Sequence, residues 1–200
     1  LAKFGAVLEQ NYGQTEAMMT CTLLKPAEHF AANGDVRIGC IGRAYTFVEI
    51  VLRGPDGRPV APGEIGELTV RSDHVMRGYW RMPEETAKAI RDGYLWTGDL
   101  ARMDESGLIT LAGRSKEMLI SGGHNIYPQE VEAALTSCPG VMEAAVLGTP
   151  DPDWGEIAVA FVSLADNTGL KPDDISAAVK PRLGIKTPKR IEILSALPKT

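Results

Sequence analysis

The sequence predicts a multi-domain chain: a β-rich unit over residues 1–115, then a small α+β domain over residues 116–200. Three observations predict it. Residues 37–71 carry short β-branched runs separated by turn signals. Residues 95–100 and 108–112 form two apolar runs around Asp104-Glu105-Ser106-Gly107, the pattern of a hairpin. After Lys116 the texture changes to strand, helix, strand, strand, helix, strand, which is how an α+β domain with helices packed on a sheet reads.

Taken in order, residues 7–11 read as a short strand feeding Tyr12-Gly13, where glycine lets the chain turn so that the following side chains face a cleft. Thr15 is also a good N-cap residue before Glu16-Ala17-Met18-Met19, so a capped turn stands beside that reading. Residues 46–52 and 66–71 are the strands of the β-rich stretch, with Pro55-Asp56-Gly57 as one turn and Pro59, Pro62 and Gly63 marking a second loop. Met76, Tyr79, Trp80 and Met82 read as packing residues. Residues 83–90 form a short helix, with Pro83 in its first turn and Glu84 and Glu85 at the positive end of the dipole.

Asp99 closes the first run of the predicted hairpin and Arg114 the second, so pairing brings a carboxylate and a guanidinium to nearby positions. Ser115-Lys116-Glu117 is a polar break, and Lys116 is the expected domain boundary. Residues 118–121 are a strand. At Gly122-Gly123 a backbone without Cβ can lie close to another backbone or a ligand, and a bulge or turn fits the same spacing. A helix over residues 128–137 places Glu130 and Glu132 early, strands follow at 141–147 and 157–164, a helix at 172–183 opens on Asp173 and Asp174, and a strand ends the domain at 190–194.

Composition narrows the function classes. A net charge of −5 argues against a non-specific nucleic-acid binder, which needs a basic face to displace counterions. The longest apolar stretch, residues 157–164, is far short of a bilayer span, and nothing at the start has the pattern of a signal peptide, so a cytoplasmic setting is the default expectation. Cys21, Cys40 and Cys138 are odd in number and widely spaced, and His29, His74 and His124 are scattered, so neither a disulfide framework nor a zinc site is expected. The chain starts at Leu1 and stops at Pro198-Lys199-Thr200, and we expect it to be a portion of a longer protein.

Four motifs, in order and in register, resemble the adenylate-forming (AMP-binding) superfamily of acyl-CoA synthetases, luciferases and peptide-synthetase adenylation domains. They are Tyr12-Gly13-x-Thr15-Glu16, Thr97-Gly98-Asp99, Gly113-Arg114-x-Lys116-Glu117, and Gly122-Gly123-x-Asn125-Ile126-Tyr127-Pro128-x-Glu130-Val131-Glu132. The resemblance runs over essentially the whole chain. It implies that the first part is the distorted-barrel β-rich subdomain of the large adenylating domain and the second a small lid. It also implies that Tyr12 and Gly13 lie against adenine, that Thr15 bonds phosphate, that Glu16 helps hold Mg²⁺, and that Asp99 and Arg114 grip the ribose. For those last two, spacing alone favours an ion pair across the hairpin. Lys116 resembles the family hinge, and Gly122 and Gly123 resemble the lining of the pantetheine tunnel.

The activity implied is that of an ATP-dependent acyl-CoA synthetase, using a small-molecule carboxylate, ATP, Mg²⁺ and CoA, with AMP as a product. Lys199 is not the family's terminal adenylation lysine, which follows the Pro-Lys-Thr, and the phosphate loop lies upstream in the family. The chain by itself is therefore expected to be inactive. Loading of a carrier protein is the alternative acceptor reaction. A non-catalytic interaction fragment or homo-oligomerisation piece is the alternative of another class.

Overall fold

The computed structural model describes residues 7–166 and 168–199, so Leu1, and Thr200 of the terminal Pro-Lys-Thr, lie outside the described residues. Two units divide the chain, Leu1–Ala112 and Gly113–Thr200.

In the first unit, β1 (Gln10–Gln14) pairs antiparallel with β2 (Ala17–Leu24) through a two-residue loop, Thr15-Glu16. This corrects two expectations. The strand begins at Gln10 rather than residue 7 and runs past Gly13, and Ala17 to Met19 enter a strand instead of continuing a turn capped by Thr15. Propensity yields here to tertiary pairing, because Ala17 and Cys21 are fully buried in the core and only the hairpin places them there. β3 (Cys40–Ala44), β4 (Glu49–Arg53) and β5 (Ile65–Arg71) follow. The strand expected from residue 46 starts at Glu49. Thr46 and Phe47 form a turn closed by Val48 N–H to the Tyr45 carbonyl at 3.0 Å, and Phe47 stacks on Tyr45 with centroids 5.4 Å apart. The Pro55-Asp56-Gly57 turn is present, with Gly57 at φ 78° and its N–H bonded to the Gly54 carbonyl at 2.9 Å.

Helix α1 (Pro83–Ala89), β6 (Ile90–Arg91), β7 (Tyr94–Met103) and β8 (Ile109–Arg114) complete the sheet, ordered β1-β2-β3-β8-β7-β5-β4 with β6 on β7. The β7–β8 turn falls where the sequence put it. Asp104 Oδ1 accepts from the N–H groups of Ser106 and Leu108, both at 2.9 Å, and from Ser106 Oγ at 2.7 Å. Trp80 and Met82, expected in packing, are 84% and 51% exposed. Between them Arg81 holds φ 54°, a left-handed conformation that turns the chain just before α1. The core of this unit gathers Ile41, Leu52, Leu68, Val70, Leu95 and Ile109, each worth about 1.5–3 kcal/mol when fully buried.

The sheet does not lie flat. β1 and β7 are four ladder steps apart, which at about 4.8 Å per step is roughly 19 Å. Yet the Tyr12 side chain on β1 reaches Asp99 on β7 directly. The sheet must therefore curl back on itself, as a distorted barrel does. A second closure runs from beyond β5, where Val75 bridges Ala17 and Met76 N–H donates to the Glu16 carbonyl at 2.7 Å.

The second unit holds β9 (Leu119–Ser121), β10 (His124–Ile126), α2 (Pro128–Thr136), β11 (Val141–Asp151), β12 (Gly155–Leu164), α3 (Pro172–Leu183) and β13 (Arg190–Leu194). The sheet order is β10-β9-β12-β11, with β13 parallel to β12. α3 thus serves as the crossover a parallel pair requires. Val131, Ala134 and Leu135 on α2, and Ile175, Val179 and Leu183 on α3, recur at helical spacing and pack with Val146, Ala160, Val162 and Ile191 of the sheet. Strand β10 has no counterpart among the elements expected from the sequence. It is three residues long, too short for periodicity to register. Among the described residues no helix is long and apolar enough to cross a membrane, which says nothing of a membrane β-barrel.

Gly42 makes the most stringent steric demand in the first sheet. It holds φ +87°, and a Cβ there would fall onto the Leu23 carbonyl of the neighbouring strand. Gly42→Ala is expected to destabilise the protein by about 3 kcal/mol, combining backbone strain with overpacking. Urea unfolding of the two forms checks it.

Candidate functional site

The Thr97-Gly98-Asp99 motif owes its geometry to a bulge. The register between β5 and β7 shifts between Glu67 and Thr69, and Gly98 opposite takes φ 74°, which glycine supplies without strain. The bulge is locked on both sides. Thr97 Oγ1 donates to the Leu68 carbonyl at 2.7 Å and accepts from Asp99 N–H at 3.1 Å, while Gly98 N–H donates to Glu67 Oε1 at 3.0 Å. Asp99 is thereby held at the sheet with only 6% of its surface exposed.

The β1–β2 hairpin meets it. Tyr12 Oη donates to Asp99 Oδ2 at 2.5 Å, across 87 residues of sequence. Gln14, which the motif reading passed over, adds its amide: Nε2 lies 3.2 Å from the Thr97 carbonyl and 3.4 Å from both Tyr12 Oη and Asp99 Oδ2. Burial pushes the Tyr12 phenol well above its ordinary range, and the bond to the Asp99 carboxylate and that carboxylate's charge push the same way. The phenol is a fixed donor at any physiological pH. Gly13, between them, sits at the register shift of the β1–β2 ladder, and Thr15 is exposed at the hairpin tip.

Glu16, beside Thr15, is half-buried, and its Oε1 accepts from Tyr79 Oη at 2.7 Å. Tyr12, Gln14 and Asp99 are thus joined directly, with Glu16 at the tip of the same hairpin. Among the described residues no group of three His, Cys, Asp or Glu is gathered that could hold a metal by itself. A hard cation brought in by phosphates needs only one or two carboxylates, and Glu16 suits that use. Another polar contact in this unit is inert. Cys21 Sγ lies 3.8 Å from His74 Nε2, but the thiol is fully buried, and burial raises it to about 11, the wrong direction for a nucleophile.

In the second unit, Arg114 ends β8 with its side chain exposed, and Lys116 stands exposed in the turn that Glu117 N–H closes onto the Arg114 carbonyl at 3.1 Å. Gly122 and Gly123 form the two-residue loop of the β9–β10 hairpin, both with positive φ, 55° and 81°. The turn alternative is therefore the observed backbone. The two glycines differ in surroundings. Gly122 donates its N–H to the Trp154 carbonyl at 2.9 Å and lies against the Trp154 ring, leaving no room for a Cβ, whereas a Cβ on Gly123 would meet nothing within 4 Å. Lys189 Nζ sits 4.0 Å from the centre of the Trp154 ring. Beside Lys116 a groove of about 540 Å³ opens, walled by Glu117, Leu119, Glu132, Val146 and Glu156. Burial raises the Glu132 carboxyl above its usual range, the Val146 N–H lowers it in part, and the charge of Glu117 adds to the rise.

The fold and this geometry can be set beside known proteins. The model of the AMP-binding enzyme family matches residues 1–80, and that of the AMP-binding enzyme C-terminal domain matches residues 130–200. The chain is 44% identical over 197 residues to a feruloyl-CoA synthase from Amycolatopsis sp, covering 98% of this chain and 39% of that protein. It is 38% identical over 208 residues to the medium/long-chain-fatty-acid–CoA ligase FadD8 of Mycobacterium tuberculosis, covering 100% of this chain and 36% of that one. Among solved structures, the amide bond synthetase McbA from Marinactinospora thermotolerans superposes with TM-score 0.88 at 38% identity, over 98% of this chain and 39% of that chain. The o-succinylbenzoate CoA synthetase of Bacillus subtilis, in complex with its acyl-adenylate intermediate, gives 0.82 at 33% identity, over 96% and 38%. The chain spans about two fifths of the length of the relatives it matches.

The Tyr12 proton carries a pH prediction. A phenol whose folded-state affinity for its proton is raised contributes in full below its ordinary value of 10.0, and that contribution is lost as the pH climbs above it. Stability is expected to fall above about pH 10 with a slope from this group of at most about 1.4 kcal/mol per pH unit. Tyr12→Phe should make that alkaline slope shallower in denaturant titrations run at a series of pH values.

Proposed function

Because the chain belongs to the AMP-binding enzyme family, we propose that it is the ribose-gripping and lid portion of an ATP-dependent acid–thiol ligase. The full-length protein would join a carboxylate to the nucleotide as acyl-AMP with release of pyrophosphate, and then pass the acyl group to the thiol of CoA. The observation that carries this reading is the fixed Asp99 carboxylate, locked by the Gly98 bulge and by the Tyr12 hydroxyl.

In that reaction the residues of this chain position groups more than they perform bond chemistry. Asp99 accepts from ribose hydroxyls and Arg114 donates to the same sugar. Tyr12 and Gly13 border the adenine, and Thr15 and Glu16, on the loop of the β1–β2 hairpin, face the phosphates, Glu16 as a carboxylate for Mg²⁺. Bound there, the cation would neutralise phosphate charge as it develops. Lys116, exposed in its turn, is the hinge about which the small domain exchanges faces between the two half-reactions, absorbing torsion as element-terminal residues do. In this reading the small domain begins at the same residue. Gly122 and Gly123 border the pantetheine arm. A cytoplasmic setting goes with this reading, since the substrates are those of intracellular metabolism.

The likeness to an amide bond synthetase favours one second reading, in which the acyl group passes to an amine. Supplying CoA or a panel of amines to the full-length protein with ATP and an acid, and identifying the acyl product, separates the two. Absence of ATP-dependent pyrophosphate release with any acid would remove both.

Asp99→Asn keeps shape and removes charge. It is expected to weaken AMP binding about 10- to 100-fold, the range for hydrogen bonds to a charged group, as measured by calorimetry. Gly123→Leu is expected to slow thioester formation more than adenylation, read as a drop in acyl-CoA yield that exceeds the drop in pyrophosphate release. A Cβ at Gly123 meets nothing within 4 Å, so the added side chain has room, at the cost of the backbone strain that φ +81° imposes on a non-glycine residue.

A further inference from the structure

Tyr79 stands among residues that read as packing, but its hydroxyl does something else. It donates to Glu16 Oε1 at 2.7 Å, from 63 residues away in sequence. The segment that delivers it is built for placement. Val75 bridges Ala17 and Met76 N–H donates to the Glu16 carbonyl at 2.7 Å, so the backbone of residues 75–76 is stitched to the hairpin at Glu16 itself. Further along, Tyr79 N–H donates to Thr86 Oγ1 at 2.9 Å, and Thr86 Oγ1 donates to the Met82 carbonyl at 2.9 Å, fixing Tyr79 to the first turns of α1. Gly78 holds φ 149°, and a Cβ there would crowd the Thr86 side chain at 2.8 Å, so the chain passes α1 as closely as a glycine permits. One stretch of backbone therefore holds both the main chain and the carboxylate of Glu16.

We propose that Tyr79 is a positioning residue for Glu16, fixing the carboxylate through Oε1 so that Oε2 meets the divalent cation that accompanies the nucleotide. The inference rests on the reading of Glu16 as a cation-facing carboxylate. A glutamate has three rotatable side-chain torsions, and one standing alone at a hairpin tip must give up that freedom when a cation arrives. With Tyr79 in place that ordering is already present in the folded protein. Thr86 and Gly78 act at one remove, by fixing where the tyrosine stands.

The test uses Mn²⁺ as the probe, titrated into the full-length protein with a non-hydrolysable ATP analogue and read as free Mn²⁺ by electron paramagnetic resonance. AMP binding in metal-free buffer is measured in parallel. Tyr79→Phe keeps the ring and removes the donor. It is expected to raise the Mn²⁺ dissociation constant about tenfold, equivalent to about 1.4 kcal/mol, and to leave metal-free AMP affinity unchanged. Glu16→Gln should raise the same constant at least as far. If Glu16→Gln raises it and Tyr79→Phe does not, the role of Tyr79 is overturned while that of Glu16 stands. If neither changes it, the reading of Glu16 fails and takes this inference with it. If Tyr79→Phe weakens Mn²⁺ and metal-free AMP binding equally, the tyrosine is structural and the proposal is overturned.

Discussion

The hydrogen bond from Tyr12 to Asp99 is the contact on which the first unit turns. It joins strands that a flat sheet would hold roughly 19 Å apart, so its existence and the curl of the sheet are one fact stated twice. The curl in turn depends on irregularities placed where they are needed: register shifts at Tyr12/Gln14, at Cys40/Gly42 and at Glu67/Thr69. Bulges sharpen local twist and re-aim side chains. Here they turn an ordinary antiparallel ladder into a concave support with a carboxylate held inside it. That carboxylate is nearly buried, and burial of a charge is tolerable only where donors surround it. Tyr12 and Gln14 are two of those donors, so the first motif of the chain and the second form one polar network.

The sequence made some of this legible and concealed the rest, for physical reasons that differ by residue. Turns came through well. Asp104-Glu105-Ser106-Gly107 and Pro55-Asp56-Gly57 are read correctly because their chemistry is local, an aspartate oxygen capping nearby N–H groups and a glycine at positive φ. The helices opened by Pro83, Pro128 and Pro172 begin at those residues, because proline at the first turn is a local signal as well. Strand starts were less legible. Ala17 to Met19 carry no clear strand preference and enter a strand because of what they pair with. Thr46 and Phe47 look like strand residues and form a turn because Phe47 stacks on Tyr45 and meets the His74 ring edge-on. The roles of Gln14 and Tyr79 were invisible for the same reason: each acts on a partner that only the folded sheet brings near.

The small unit shows a different economy. Its hairpin tip at Gly122-Gly123 is fixed on one side and open on the other, since Gly122 is pressed to the Trp154 ring while Gly123 borders empty space. Glu132, expected early in α2 as a complement to the dipole, instead reaches the Val146 N–H on β11 and ties the helix to the sheet at 2.9 Å. At the far end of the described chain Lys199 pairs with Glu143 at 2.7 Å, a contact between the segment after β13 and β11.

The cysteines lend themselves to a practical use. Cys21 and Cys40 are sealed within the first unit at 0% and 1% exposure, and the Cys21 thiol holds its proton until about pH 11, while Cys138 after α2 is partly accessible. Of the three cysteines of this chain, a maleimide dye offered at neutral pH would therefore settle on Cys138 ahead of the other two, marking the second unit and sparing the first.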